Sequence, residues 1–445
     1  MPTTKRFIDK YLTAEEAVRL VKPHQTIGVG IAGSEPVGLM TAMADYAEEL
    51  EGVHYWTCLP MRPYDIFTKP EMGGHIFNEN WFYSIADRQV HPEGRVSYIP
   101  NNLHRAATDK LYATGGHLDV FMGTATPPND EGYMSLSLGM IVQKDLLEAA
   151  DLKILEVNEN LPWTNGDTLV HVSEVDYLVE NNVPLVELPS VLPSEIEQQI
   201  GGFIADLIED GSTIQLGIGG IPNAITAFIM ERKDLGVHTE MIVDGFVDLV
   251  EAGVVTNAKK TLHPGKMIGA FALGTRKLYD YLNHNPDVEM YRGHYTNDPY
   301  VIAKNNKMIS VNTALQVDLI GQVCSQSIGT RQFSGTGGQL DTHRGAQMSE
   351  GGRGIIALRS TAKNGSISTI VPTLAPGAGV TVPSQDVDTI ITEYGVAELR
   401  GRSVHDRMEA LIRVAHPNFR DWIRDEADRL GIVPKTRFFV GGHDE

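Results

Sequence analysis

The side chain with the clearest chemical potential in this sequence is the carboxylate of Glu240. It lies in the stretch GVHTEMIVDG (residues 236–245), directly before the apolar run Met241-Ile242-Val243, which predicts a short strand. A carboxylate at the edge of such a strand is costly to bury unless it has polar partners or a chemical task. Taken alone, Glu240 is more simply a solvated residue after a helix, so its assignment depends on the motifs around it.

Two glycine-rich turns occur before and after this stretch. The first is GIGGIPN (residues 217–223) and the second is SGTGGQ (residues 334–339). A glycine-rich turn between a strand and a helix offers free backbone N–H groups, which favour a phosphate or a developing oxyanion. Each turn alone is also compatible with a tight connection, and the first has neither the dinucleotide fingerprint nor the P-loop spacing. Together with Glu240, the turns predict one site in which Glu240 is the nucleophile.

Other catalytic and metal-binding motifs are missing from the sequence. It contains no HExxH spacing, no CxxC pair and no GxSxG nucleophile elbow. Ser334 lies among glycines but has no adjacent histidine base, and His343 is predicted to lie at the surface. The segment PPNDEG (residues 127–132) has the composition of a calcium loop, but its two prolines and its ligand spacing favour a plain turn. The sequence therefore predicts no metal.

The acidic composition restricts the partners of the predicted site. The 445 residues include 37 Lys and Arg against 57 Asp and Glu, and the formal net charge of −20 disfavours nucleic acid and anionic membrane surfaces. An anionic ligand must then be bound by local donors, such as glycine-loop amides and a few placed cations. The uncharged segment 211–230 contains Gln, Asn, Pro and four glycines, so it predicts strand, turn and helix and not a membrane span.

The cysteines and the N-terminus indicate a cytoplasmic protein. Cys58 and Cys324 provide no disulfide framework, as expected in a reducing compartment. Residues 1–16 carry charges throughout and lack the apolar core of a signal peptide.

The order of elements predicts an α/β fold with parallel sheets. A helix is expected over residues 13–20, with Thr13 and Glu16 as a capping box, and strands are expected over residues 26–31 and 53–58. A repeated strand, glycine turn and helix is typical of parallel strands with helices on both faces. Further strands are predicted over residues 118–122, 152–157, 266–272, 308–312, 354–358, 366–371 and 389–392, and further helices over residues 38–51, 275–283, 404–415 and 421–430.

A domain boundary is predicted in the middle of the chain. Pro184, Pro189 and Pro193 interrupt the regular pattern there, and Ser194 caps the helix that follows. We therefore predict two domains, residues 1–190 and residues 191–445.

The second domain repeats the opening of the first. The segment HQTIGVGIAG (residues 24–33) aligns with GSTIQLGIGG (residues 211–220), and the triplet GVH recurs after the next helix in both copies. In this alignment Trp56 takes the place of Glu240. Any unit of strand, turn and helix resembles another such unit to some degree. The recurrence of the GVH triplet, at a position of its own after the next helix, nevertheless favours an internal duplication. We predict two related open α/β/α domains, of which only the second carries the carboxylate.

These motifs together resemble the acetyl-CoA hydrolase/transferase family, and most closely the 4-hydroxybutyrate coenzyme A transferases within it. The resemblance covers nearly the whole chain. It is carried by five segments: EDGSTIQLGIGGIPNA (209–224), GVHTEMIVDGFVDLVEAGV (236–254), QFSGTGGQLD (332–341), RGAQMS (344–349) and TEYGVAELRGRS (392–403).

The resemblance implies a fold and a set of site residues. The fold is two CoA-transferase domains of the NagB-like type with the active site in the cleft between them, and Glu240 is the covalent nucleophile. Residues implied beside the nucleophile or at the oxyanion are Gln215, Gly337 and Gly338. Residues implied in CoA binding are Gly217, Ile218, Gly219, Gly220, Ile221, Asn312, Gly335, Gly338 and Lys363. Residues implied at the acyl pocket are Glu35, Ser34 and Met241.

The resemblance also implies the reaction. It is a ping-pong transfer of coenzyme A from a short-chain acyl-CoA to a free acid such as acetate, butyrate or 4-hydroxybutyrate, without a metal. Apart from the resemblance, a homodimer or higher homo-oligomer is the default expectation for such a protein. An acyl-CoA hydrolase with the same site, a transferase for a dicarboxylate such as succinate or itaconate, and a non-catalytic CoA- or nucleotide-binding protein are the alternatives. The stretch Asn101-Asn102-Leu103-His104 departs from the aromatic residues associated with that position in relatives, so the acid substrate stays open.

Overall fold

The computed structural model describes residues 3–432, and its first half forms a seven-stranded parallel sheet. The strand order is β7-β6-β5-β1-β2-β3-β4. These strands are Thr26–Val29 (β1), Val53–Thr57 (β2), Ile76–Asn80 (β3), Val96–Tyr98 (β4), Leu118–Ala125 (β5), Ala150–Val157 (β6) and Tyr177–Glu180 (β7).

The second half forms a nine-stranded sheet of the same core topology. Its order is β15-β14-β13-β12-β8-β9-β10-β11, with the two-residue strand Asn165–Gly166 from the first half at the outer edge of β11. All pairs are parallel except β14 with β15. The strands are Thr213–Gln215 (β8), Gly236–Ile242 (β9), Met267–Ala272 (β10), Val288–Met290 (β11), Met308–Thr313 (β12), Arg353–Ala357 (β13), Thr389–Thr392 (β14) and Gly395–Glu398 (β15).

Helices connect the strands of both sheets, as parallel pairing requires. They are Ala14–Val18 (α1), Val37–Tyr46 (α2), Asp65–Thr68 (α3), Ile85–Val90 (α4), Ala106–Ala113 (α5), Gln143–Ala149 (α6), Glu195–Ala205 (α7), Gly220–Phe228 (α8), Asp244–Glu251 (α9), Arg276–Leu282 (α10), Gly293–Thr296 (α11), Pro299–Ile302 (α12), Gln339–Met348 (α13), Val404–Val414 (α14) and Pro417–Leu430 (α15). No helix within residues 3–432 is both long enough and apolar enough to cross a membrane.

The two sheets share one strand order, which confirms the predicted α/β fold and fits an internal duplication. If the parallel strands of each half are numbered one to seven along the chain, both sheets have the order 7-6-5-1-2-3-4. The register, however, corrects one detail. Thr26 lies opposite His54, whereas Thr213 lies opposite Gly236. Residue 54 therefore corresponds to residue 236, and the counterpart of Glu240 is Cys58, so the predicted equivalence with Trp56 is wrong by two residues.

Local signals at helix starts are confirmed, whereas some strand limits differ. Thr13 and Ser194 both form capping boxes, the first with Glu16. The strand predicted from Met241 begins five residues earlier, at Gly236, so Glu240 lies within β9 and not before it. The strand predicted over residues 366–371 is divided into the short strands Ile367–Ser368 and Ile370–Val371.

The halves are joined by a common apolar core. Trp56, Phe121 and Leu138 of the first half are in one cluster with Val237 and Phe271 of the second. The edge strand Asn165–Gly166 adds a backbone connection between the same halves. A boundary near residue 190 stays a prediction.

Candidate active site

Glu240 lies at the carboxyl ends of the second sheet, close to the point where the strand order reverses. The reversal falls between β12 and β8, and Glu240 is on β9, the next strand. In open α/β sheets, ligands bind beyond the carboxyl ends of the strands at such a point. The location therefore fits a ligand-binding or catalytic side chain.

Two donors hold the Glu240 carboxylate. Asn297 Nδ2 donates to Oε2 over 2.8 Å, and the backbone N–H of Gly338 donates to the same carboxylate. Gly338 must be glycine here, because a Cβ atom would lie 2.0 Å from Glu240 Oε2 and 2.1 Å from Asn297 Nδ2. The carboxylate is thus fixed between an amide side chain and a peptide N–H.

The backbone beside Asn297 is anchored by a buried hydrogen bond. Asn297 follows α11 and has no exposed surface. One residue earlier, the carbonyl of Thr296 accepts a hydrogen bond from His238 Nε2 over 2.8 Å. Burial lowers the pKa of His238 to about 3, so the imidazole is neutral at physiological pH. Because His238 lies two residues before Glu240 on β9, one strand carries both the nucleophile candidate and the anchor of its partner.

The environment of Glu240 favours its neutral form. Although the residue retains some exposed surface, burial of the carboxyl group raises its pKa to about 7. The charge of Asp341 also raises it, while the hydrogen bonds from Asn297 and Gly338 lower it. A pKa near neutrality leaves a poorly solvated and reactive carboxylate available at physiological pH.

The second glycine turn lies between Glu240 and the first half of the chain. A Cβ atom on Gly335 would lie 2.3 Å from the carbonyl oxygen of Trp81. A Cβ on Gly337, whose φ is +52°, would lie 3.5 Å from a ring carbon of Phe82 and 3.6 Å from Glu240 Oε1. Glu240 therefore lies where residues of both halves meet.

Gln215 belongs to a polar network beside the site. Its Oε1 is 2.8 Å from Ser310 Oγ, and Asn312 Nδ2 donates to Ser310 Oγ over 3.0 Å and to Thr342 Oγ1 over 3.1 Å. The network joins β8, β12 and α13. In the part of the chain that the structure describes, Gln215 makes no hydrogen bond to Glu240, so its place beside the nucleophile stays a prediction.

The first glycine turn forms the start of α8 and one wall of a cavity of about 330 Å³. Gly219 has φ +111° and occupies the N-cap position without a side-chain hydrogen bond. Ile218 is 46% exposed, whereas Ile221 is buried. The cavity is lined by Leu188, Pro189, Ser190, Val191, Gly217, Ile218, Gly219, Asn223, Val243, Asp244, Gly245 and Leu273.

The remaining predicted residues fall into two environments. Lys363 is exposed in the turn between the short strands Thr361–Ala362 and Ile367–Ser368. Glu35, Ser34 and Met241 are buried.

Glu35 has an unusual environment. Both of its carboxyl oxygens lie 3.2 Å from the backbone N–H of Met61, and Tyr64 donates its hydroxyl to Oε2 over 3.2 Å. Burial raises the pKa of Glu35 to about 8, despite these hydrogen bonds and the nearby charge of Arg62. The side chain is therefore mostly neutral at pH 7.

Several residues at the site were not identified from the sequence. Asn297, Asp341 and Phe82 lie far from Glu240 in the chain, and only the helix-start pattern after Asn297 gave a local signal.

The prediction that His343 lies at the surface is wrong. It is fully buried, and its Nε2 accepts the backbone N–H of Asp388 over 3.2 Å. Within residues 3–432, no group of three or more His, Cys, Asp or Glu side chains could hold a metal ion.

The fold and the site define a class of protein. Residues 1–188 match the N-terminal domain of the acetyl-CoA hydrolase/transferase family, and residues 274–427 match its C-terminal domain. The chain belongs to this family.

Individual relatives make the comparison more specific. The chain is 43% identical to the 4-hydroxybutyrate coenzyme A transferase of Clostridium kluyveri, over 94% of this chain and 97% of that protein. It is 41% identical to the succinyl-CoA:cyclohexane-1-carboxylate CoA transferase of Geobacter metallireducens, over 96% of this chain and 97% of that one. The crystal structure of RipA from Yersinia pestis matches with a TM-score of 0.91 at 36% identity, over 97% of this chain and 100% of that chain. The resemblance stated from the motifs is confirmed.

Proposed function

We propose that this chain is a CoA transferase that moves coenzyme A from a short-chain acyl-CoA to a free carboxylic acid through a thioester on Glu240. The observation that carries the proposal is the position of the Glu240 carboxylate, held by Asn297 and Gly338 where the two halves meet. The names of the relatives at 41–43% identity support the same reaction class.

The first half-reaction begins at the Glu240 carboxylate. One of its oxygens attacks the thioester carbonyl carbon and the C–S bond breaks, which gives a mixed anhydride of Glu240 with the acyl group and free coenzyme A thiolate. The thiolate then attacks the Glu240 carbonyl carbon. This step releases the first acid as its carboxylate and leaves coenzyme A on Glu240 as a thioester.

The second half-reaction reverses these steps with another acid. The incoming carboxylate attacks the glutamyl thioester, and the released thiolate attacks the acyl carbonyl of the new anhydride. One thioester replaces another, so the exchange is close to thermoneutral. Water must be kept away from both intermediates, because hydrolysis of either would convert the transferase into a hydrolase.

Backbone and amide donors supply the electrostatic stabilisation. Each tetrahedral intermediate carries a negative oxygen, and a well-aimed donor stabilises such an oxyanion by roughly 3–4 kcal/mol. We assign this role to the N–H groups of Gly337 and Gly338, which lie beside Glu240. Gln215 completes the polar wall from β8.

Coenzyme A is assigned to the glycine turns. The uncapped start of α8 at Gly219, Gly220 and Ile221 suits a phosphate group, because free N–H groups and the helix dipole attract anions there. Asn312 and Gly335 extend this surface toward Glu240, and Lys363 offers an exposed cation. Binding of the remote nucleotide can contribute to lowering the barrier at the thioester.

The acid substrate is proposed to be short, of the acetate, butyrate or 4-hydroxybutyrate type. Glu35, Ser34 and Met241 are assigned to its pocket. A mostly neutral Glu35 does not repel an incoming carboxylate and can donate a hydrogen bond. A dicarboxylate acceptor such as succinate or itaconate is the alternative.

An acceptor screen tests the proposal. Acetyl-CoA, butyryl-CoA and succinyl-CoA are offered as donors with each candidate acid, and the new acyl-CoA is measured by chromatography. We expect transfer that disappears in Glu240→Gln. Sustained thiol release without an acceptor acid, at a rate comparable to transfer, would favour the hydrolase. Binding of coenzyme A without turnover in any combination would favour a binding protein.

We propose a cytoplasmic location and a homodimeric state for this enzyme. Cys58 and Cys324 are buried free thiols, which suits a reducing cytoplasm. A homodimer is the default expectation for such an enzyme. Light scattering of the purified chain measures the oligomeric state directly.

A further inference from the structure

The first half of the chain holds the second glycine turn with several polar contacts. Arg88 donates through Nε to the carbonyl of Phe333, and its guanidinium carbon lies 3.8 Å from the centre of the Phe333 ring. The backbone N–H of Thr336 donates to the Tyr98 hydroxyl over 3.3 Å, and the Thr336 hydroxyl donates to the carbonyl of Asn101 over 3.0 Å. The turn that contacts Glu240 is therefore positioned from the opposite half.

One further contact in this set is charged. His104 Nδ1 lies 2.8 Å from Asp341 Oδ1, and the backbone N–H of His104 donates to Oδ2 over 2.9 Å. The Asp341 side chain is only 2% exposed, and that of His104 is 22% exposed. Within the described part of the chain, these are the hydrogen bonds of the Asp341 carboxylate. Because Asp341 lies three residues after Gly338, in the first turn of α13, this pair fixes the end of the turn.

The same pair acts on the nucleophile electrostatically. The negative charge of Asp341 raises the pKa of Glu240. Burial lowers the pKa of His104, but the hydrogen bond and charge of Asp341 outweigh that effect and hold it above the ordinary value. A protonated His104 offsets the Asp341 charge that Glu240 would otherwise experience.

We propose that His104 is a positioning residue of this site. By pairing with Asp341 it fixes the backbone of Gly337 and Gly338 beside Glu240, and it shields the nucleophile from the Asp341 charge. The inference rests on the proposed function of Glu240. It also gives a physical role to a stretch that departs from the expected aromatic residues.

The other charges near the pair are few. Asp298 raises the pKa of His104 and Arg105 lowers it, and Arg105 is itself paired with Asp109 over 2.7 Å. Cys58 belongs to the first half. Burial and the charge of Glu240 raise the pKa of its thiol, so the thiol stays neutral. On α13, Arg344 is paired with Asp386 over 2.8 Å and also interacts with the charge of Asp341. Substitution of a protonated His104 therefore removes one positive charge beside Asp341.

Four variants separate positioning from charge. His104→Ala removes both the ring and its charge, whereas His104→Asn places an amide N–H where Nδ1 was and removes only the charge. Asp341→Asn removes the opposite charge. Tyr98→Phe removes a neutral contact to the same turn and serves as the control for loosening without a change of charge.

The measurement is the pH dependence of kcat/KM for transfer, because its acid limb reports groups of the free enzyme. His104→Ala is expected to lower kcat and to move the acid limb upward by about 0.5–1 pH unit. His104→Asn should keep kcat within about threefold of wild type, because the hydrogen bond remains, and should still show the upward shift. Asp341→Asn should move the limb downward, and Tyr98→Phe should slow transfer without moving it.

The outcomes distinguish this inference from the proposed function. If wild type transfers coenzyme A, Glu240→Gln does not, and the acid limb is the same in wild type, His104→Ala and His104→Asn, the role of His104 is overturned while the proposed function stands. If wild type itself forms no new acyl-CoA, the proposed function fails. Should His104→Ala fail to fold, the opposite shifts expected of His104→Asn and Asp341→Asn decide the question.

Discussion

The two halves of this protein have the same sheet but opposite chemistry at its carboxyl edge. Pairs of residues that occupy the same place in the two sheets can be read from the strand registers. The second-half residues and their first-half counterparts are Glu240 and Cys58, Gln215 and Gly28, Ser310 and Phe121, and Asn312 and Gly123. A polar network in one half thus corresponds to small and apolar residues in the other. The first half fills this position with core, whereas the second leaves donors and acceptors for a ligand.

The helices after the first strand of each half show the same contrast. In the first half, Glu156 Oε2 accepts the N–H groups of Gly38 over 2.8 Å and Leu39 over 3.0 Å, at the start of α2. The register makes Ala357 its counterpart in the second half, and α8 begins there without a side-chain cap. In the first copy an internal carboxylate accepts the N–H groups of this helix start. In the second copy no side chain caps the helix, and the Glu197 carboxylate packed against Gly220 pairs with Ser194 and Arg359 instead.

The two halves therefore share a fold but have different roles at the site. Small and apolar residues at these places make the first copy a wall that positions the second glycine turn. The second copy instead places a carboxylate of raised pKa between two donors and beside a polar network. Each prediction below alters one side of this contrast.

Loss of the carboxylate should have the largest effect. Glu240→Gln keeps the shape of the side chain but removes the nucleophile, and we expect transfer to fall at least about 10³-fold, as for other covalent catalysts. Binding of coenzyme A, measured by calorimetry, should stay within a few-fold of wild type. The matched substitution in the first copy, Cys58→Ser, should retain most activity. Equal losses in both variants would remove the distinction between the halves.

Crowding the glycine turn should be the next most damaging change. Gly338→Ala places a methyl group 2.0 Å from Glu240 Oε2, so the carboxylate must move. A displacement of about 1 Å in a reacting group costs on the order of 10²-fold in rate, and we expect such a loss in kcat. The control is Gly202→Ala in α7, where no atom lies within 4 Å of the added Cβ. Wild-type kinetics in Gly338→Ala would refute the assigned geometry.

The pH profile should show the raised pKa of Glu240. Only the carboxylate attacks the thioester, and burial raises its pKa to about 7. Activity should therefore rise about tenfold per pH unit below 7 and level off above it. The measurement is kcat/KM between pH 5 and 9 in a buffer of constant ionic strength. A plateau that extends down to pH 5 would place Glu240 in solvent.

Glu156 should affect stability and not catalysis. Burial raises its pKa to about 7 in the folded chain, above the ordinary value of 4.5. The folded state then binds a proton that the unfolded state releases, so stability is lost as pH rises from about 4.5 through 7. Glu156→Gln should reduce the loss of stability between pH 5 and 8 by on the order of 1–3 kcal/mol.

Thermal unfolding measures this change, with the exposed Glu48→Gln as control. Transfer by Glu156→Gln should stay within about twofold of wild type, because Glu156 holds the start of α2 and makes no hydrogen bond to Glu240 in the described part of the chain. A large loss of kcat in Glu156→Gln would show that the first copy has a catalytic role of its own.

The sequence predicted those features that depend on local chemistry. Thr13 with Glu16 was predicted as a capping box and Ser194 as a helix cap, because the bonded partner of each cap lies three residues away. The strand at Thr389–Thr392 was predicted at its observed limits, since its run of β-branched residues is bounded by polar ones.

Features set by distant contacts could not be predicted in the same way. The start of β9 was missed because His238 and Thr239 are buried by tertiary packing, His238 against Thr296. His343 is polar, and only the strand packed beside it explains its burial. The partner of Glu240 is Asn297, 57 residues along the chain. The correct counterpart of Glu240 depends on strand register, which neighbouring strands determine.

One measurement tests the central claim most directly. The protein is incubated with acetyl-CoA without an acceptor acid and treated with borohydride, which reduces a glutamyl thioester to an alcohol, and its peptides are then analysed by mass spectrometry. We predict that Glu240 is converted to the alcohol, that the modification requires acetyl-CoA, and that excess acetate added before borohydride suppresses it. An unmodified Glu240 peptide together with ongoing transfer, or a modification at another residue, would contradict the account.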